Sequence, residues 1–89
     1  MTYWVEYKTP SEAWGIIRRN LNTTSLTVAR KKAYTHIYRY GGEAWIYPSK
    51  DSRTYSGVVT YAEGLGAYWT THKKEYALNI DGTLGEEMF

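Results

Sequence analysis

Apolar and polar residues alternate toward both ends of the chain and follow a helical period between them. In residues 2–8, Tyr3, Val5 and Tyr7 fall on one side and Trp4, Glu6 and Lys8 on the other, the period-two pattern of a half-buried strand. From Leu26 the period changes. Leu26, Ala29, Ala33, Ile37 and Tyr40 recur at steps of three and four, which makes one stripe of an amphipathic helix. Arg30, Lys31, Lys32, Thr35, His36 and Arg39 populate its other faces. Thr24 or Ser25 can cap its start. Gly41-Gly42 stops it, because glycine accepts the left-handed geometry at a helix end, and Arg39 suits the negative end of the dipole.

After the helix the pattern returns to short extended runs. Glu43–Tyr47 alternates up to Pro48, and residues 49–54 are polar loop. In 55–62, Tyr55, Val59 and Tyr61 share one face and Val58 takes the other. Residues 67–71 and 75–80 complete the series, the latter placing Tyr76, Leu78 and Ile80 on one face. Glu63-Gly64-Leu65-Gly66, His72-Lys73-Lys74 and Asp81-Gly82 are the turns between and after them. Residues 84–89 read as an acidic tail that frays.

Residues 9–21 carry two competing patterns. As a helix, Thr9 caps, Pro10 takes the first helical position, Glu12 completes a capping box, and Ala13, Ile16, Ile17 and Leu21 share a face. As a hairpin, Pro10-Ser11-Glu12 is the loop and 13–19 returns as a strand. Gly15 would cost that helix about 1 kcal/mol against Ala, and Trp14 with Ile16-Ile17 suits a strand, so the hairpin is favoured. The whole chain, 1–89, then reads as a single small α+β domain. It has an antiparallel sheet of five or six strands, one amphipathic helix at about residues 25–40 on one face, and an order of roughly β-β-α-β-β-β-β.

Composition narrows the class. The chain has 89 residues, the size of one domain. Ten Tyr and four Trp against one Phe bring the aromatic share to 17%, which argues against disorder. There is no Cys, hence no disulfide, thiolate nucleophile or Cys-ligated metal. No apolar run approaches the roughly 18 residues of a membrane span, and no apolar segment follows the N-terminus as in a signal peptide. The expectation is a cytoplasmic protein with no membrane partner. The net charge is only +2, but it is unevenly spread: residues 1–74 hold all eleven Lys and Arg, whereas Glu75, Asp81, Glu86 and Glu87 follow with no base.

Candidate chemistry points to recognition rather than catalysis. His36 and His72 are the only imidazoles, and no HExxH pair, calcium loop or nucleophile elbow is present. No metal, cofactor or catalytic residue is therefore expected, and the protein reads as a non-enzyme. Two surfaces remain. Arg18, Arg19, Arg30, Lys31, Lys32 and Arg39 could form a basic edge for a polyanion such as nucleic acid. Trp4, Trp14, Trp45, Tyr47 and Tyr68 are the aromatic candidates, because alternation puts several of them opposite the core face, where aromatic side chains bury much area at little entropic cost. The sequence thus describes a small binding or accessory module, of the kind a phage or other mobile element carries. Its expected action is protein–protein interaction or self-association (a homodimer) through an aromatic-rich sheet; the alternative is nucleic-acid binding through the basic helix face and exposed aromatics.

Overall fold

Each alternating run becomes a strand of one antiparallel sheet, and the 3.6-period run becomes a helix lying on it. The computed structural model describes residues 1–8 and 17–88. Along the chain these form β1 (Trp4–Lys8), β2 (Arg18–Asn20), α1 (Leu26–Tyr40), β3 (Glu43–Tyr47), β4 (Gly57–Ala62), β5 (Gly66–Thr70), β6 (Glu75–Leu78) and β7 (Leu84–Glu87). The sheet order is β2-β1-β3-β4-β5-β6-β7, and α1 packs over β3 and β4.

Seven strands stand where five or six were expected. The additional one is β7, in the acidic segment expected to fray, and it pairs with β6 through Leu78↔Leu84 and Tyr76↔Glu87. Two runs are shorter than their patterns suggested. Tyr55 lies in the loop before β4, so it does not share a strand face with Val59. Ile80 lies in the turn after β6 and is 74% exposed. The choice over residues 9–21 is partly resolved: Arg18–Asn20 is extended and antiparallel to β1, which is incompatible with a helix reaching Leu21. The remainder of that choice, residues 9–16 with Trp14, lies outside the described residues.

The core forms between α1 and the facing side of the sheet. Ala29, Ala33 and Ile37 of the helix meet Val5, Ala44, Ile46, Val59, Trp69 and Leu78. Ser25 caps α1, its hydroxyl accepting from the Val28 amide. Leu26 and Tyr40, the ends of the expected stripe, are less enclosed; Leu26 is half-buried and Tyr40 is 60% exposed. The β6–β7 turn docks on the start of the helix. Gly82 has φ +90°, and a side chain there would run into the Thr27 carbonyl oxygen. The turn therefore requires glycine for both backbone angle and space.

Candidate recognition surfaces

The face of the sheet away from α1 gathers Trp4, Trp45, Tyr47 and Tyr68 of the aromatic candidates; Trp14 lies outside the described residues. Registers Trp4↔Tyr47, Glu6↔Trp45, Trp45↔Val58 and Thr60↔Tyr68 set these side chains on one surface. The loop between β3 and β4 folds onto one end of it. Glu6 anchors this end: Arg18 Nε donates to Glu6 Oε1 at 3.1 Å and the Tyr47 hydroxyl donates to Oε2 at 3.0 Å. The Arg18 guanidinium lies 3.6 Å from the Tyr47 ring centroid and donates to the Lys50 carbonyl at 2.7 Å. Tyr47 is buried as a result, and burial together with the adjacent Glu6 carboxylate raises its pKa above the ordinary tyrosine value.

A chain of ring contacts continues from there. Lys8 Nζ sits 3.8 Å over Trp45, Tyr55 meets Trp45 edge-on at 4.7 Å, and His72 stacks on Tyr55 at 4.3 Å. Lys50 Nζ stands 5.8 Å from the Trp4 ring. Trp4, Trp45 and Tyr68 remain half-buried. The strands place Lys8 and Arg18 with Glu6, Glu43 and Glu75 on this face, and Lys50 reaches it from the loop, three cations and three carboxylates. Of the sheet aromatics singled out from sequence, Trp4, Trp45 and Tyr68 are surface-accessible and Tyr47 is covered.

The basic residues do not form one edge. Arg30 is 8% exposed, its Nε donating to the Gly82 carbonyl at 2.8 Å and its guanidinium 5.2 Å from the Trp69 ring. Burial lowers its pKa from the ordinary value. The docked β6–β7 turn thus takes it off the surface where the helical pattern had placed it. Arg18 belongs to the opposite side of the sheet and to Glu6. Lys32 Nζ donates to the Leu21 carbonyl at 2.8 Å. Lys31 and Arg39 are exposed on α1, and Arg19 is exposed on β2, next to Val5 in register and so on the helix side. On that side His36 stacks on Tyr7 at 3.7 Å and meets Tyr40 at 4.8 Å; burial raises the Tyr7 pKa, with Arg19 opposing.

A second aromatic site was not apparent in the sequence. Tyr34 and Tyr38 stand one helical turn apart with rings at 6.1 Å, and Tyr61 of β4 meets Tyr38 edge-on at 5.2 Å. Beside them a groove of about 460 Å³ is lined by Ile37, Tyr38, Gly41, Tyr61 and Glu63. A smaller recess of about 120 Å³ lies across Tyr38, between Tyr34, Thr35 and Ile80. The i, i+4 tyrosine pair was the available signal; Tyr61 reaches it only through the fold.

Among the described residues, no group of three His, Asp or Glu comes together to hold a metal, and no helix is long and apolar enough to cross a membrane. The described residues define an α+β fold with a seven-stranded antiparallel sheet, one helix and two aromatic surfaces. No family model matches the chain, and no curated protein or solved structure matches it.

Proposed function

We propose that the protein is a non-enzymatic recognition module that self-associates through the open face of its sheet. The observation that carries this reading is the charge-balanced aromatic surface of Trp4, Trp45 and Tyr68. With three cations and three carboxylates, two such faces meet without net repulsion, and the aromatic side chains supply the contact area of an isologous dimer. The two larger Cα extents, 30 and 28 Å, bound a face of the size that standard interfaces bury, about 800 Å² per partner. Cations lie over Trp4, Trp45 and Tyr47; a base stacking on the cation-covered side of these rings would first have to displace them. Sedimentation velocity tests the reading. A dimer insensitive to salt is expected, with Tyr68→Ala weakening it at least roughly tenfold, as for a central aromatic contact, and Thr60→Arg abolishing it. A wild-type monomer at high concentration, or dimerisation unchanged in both variants, refutes it.

One observation favours a second reading, polyanion binding. Helix α1 has no carboxylate from Leu26 to Tyr40 and exposes Lys31, Lys32 and Arg39, with Arg19 on the same side of the sheet. A contact through three such cations would give log K against log salt a slope of roughly −3 on duplex DNA. Reversing Lys31 and Arg39 should eliminate retention on mixed oligonucleotides while thermal unfolding stays unchanged. Arg30 is unsuitable for this test, because reversing a buried cation disturbs the fold. Absence of wild-type retention at low salt ends this reading.

A further inference from the structure

We propose that the tyrosine groove beside α1 binds a cationic side chain, an arginine or lysine presented by an extended segment of a partner protein. The site lies on the helix side of the sheet and does not depend on the self-association reading.

Among the described residues, the chain's own cations lie over Trp4, Tyr40, Trp45, Tyr47 and Trp69, and none lies over Tyr34, Tyr38 or Tyr61. These three rings contact one another instead, Tyr34 stacked with Tyr38 and Tyr61 edge-on to both, and what ring surface they leave open attracts ammonium or guanidinium groups. Tyr38 is 62% exposed, although an aromatic ring there serves no core contact that a polar residue would lose. Tyr61 meets it edge-on at 5.2 Å.

Charge selects the occupant. The groove is lined by Ile37, Tyr38, Gly41, Tyr61 and Glu63, so its one charged group is a carboxylate, in a chain of net charge +2. Aromatic faces beside a single carboxylate match a cation and reject an anion. The volume, about 460 Å³, lies in the range of binding pockets, roughly 300–1,000 Å³, which gives room for a long side chain together with the backbone that presents it. Across Tyr38, the recess between Tyr34 and Ile80 continues the apolar surface. An extended segment crossing the ridge of Tyr38 would place its cation by Glu63 and an apolar neighbour against Ile80.

The test titrates the full chain, followed by amide shifts in heteronuclear NMR, with a capped peptide Ac-Gly-Ser-Arg-Ser-Gly-NH2, its citrulline counterpart and free methylguanidinium. Saturable shifts at Tyr38, Gly41, Tyr61 and Glu63 are expected with the arginine peptide. The neutral, nearly isosteric citrulline peptide should bind roughly fivefold more weakly, the scale of one exposed cation–π contact. Glu63→Gln should weaken the arginine peptide by a similar factor, and Tyr38→Ala should remove binding with amide dispersion retained. Equal binding of the two peptides, shifts confined to other surfaces, or no saturation overturns the proposal. Methylguanidinium binding as tightly as the peptide would assign the groove to a free small cation and overturn the partner segment.

Discussion

Replacing Arg30 by Met keeps the aliphatic stem and removes the guanidinium, which isolates the worth of one buried charged contact. In the native chain Arg30 is 8% exposed, donates to the Gly82 carbonyl at 2.8 Å and reaches the Thr27 hydroxyl at 3.3 Å. A hydrogen bond from a charged donor contributes about 1.5–3 kcal/mol. In the variant the carbonyl of the buried Gly82 also loses its donor, adding the cost of an unsatisfied acceptor. Relief from burying the charge offsets part of this loss, and the net expectation is a destabilisation of about 2 kcal/mol. For a domain of this size that corresponds to a fall in Tm of about 8–16 °C. Urea unfolding reads it, followed by tryptophan fluorescence, because Trp69 adjoins the guanidinium, and by circular dichroism. Lys31→Met is the matched control: one residue along and exposed, it should stay within about 0.5 kcal/mol of wild type. If Arg30→Met unfolds within that same margin, the guanidinium contact does not hold the turn on the helix.

Two further outcomes follow from the core and from its buried tyrosines. Gly57→Ala would set a methyl group inside contact distance of the Trp69 indole, which is 2% exposed and has nowhere to retreat. A loss of about 1–3 kcal/mol is expected from overpacking, and Trp69→Phe in the same chain should return part of it, as a double-mutant cycle would show. Tyr7 and Tyr47 both have folded pKa values above the ordinary one, chiefly through burial. A raised tyrosine pKa means that the unfolded chain releases its proton first. The stabilisation is therefore complete below about pH 10, the unfolded value, and is lost as pH rises through the folded one. Unfolding free energy measured up the alkaline range should decline above about pH 10, and decline less steeply in Tyr47→Phe.

The helix and most strands were legible because their signals are local. Ser25, the Ala29-Ala33-Ile37 stripe and Gly41 mark α1 within a single stretch, and Tyr3, Val5 and Tyr7 alternate without reference to any other segment. Legibility failed where the decisive neighbour is distant. Strand β7, Leu-Gly-Glu-Glu, has a single apolar residue and no β-branched one; backbone pairing with β6 makes it a strand. Arg30 looked like a surface cation because nothing near it in sequence announces that Gly82 will cover it. Tyr47 alternated onto the open face as expected, but the loop that hides it is fastened by Arg18, a residue of another strand. The basic edge and the aromatic face shared that weakness, since helical and strand periods assign directions without saying what will lie above them. The tyrosine groove needed Tyr61 to meet Tyr34 and Tyr38 across the core, and no pattern within α1 contains that information.

The strand order also sets a folding sequence. From β3 to β7 every strand pairs with the next in the chain, so each ladder closes over a short connection. Only β1 pairs across the helix, where Lys8 meets Glu43 and Trp4 meets Tyr47. Closing that loop costs more chain entropy than any hairpin in the meander, and contacts between remote residues slow folding. The order expected from this is that the meander assembles first and α1 settles on it, while β1 arrives last, carrying β2 and Arg18 with it. Limited proteolysis is expected to run the same order in reverse, the N-terminal pair of strands detaching first, uncovering Tyr47 and releasing the loop that Arg18 had held.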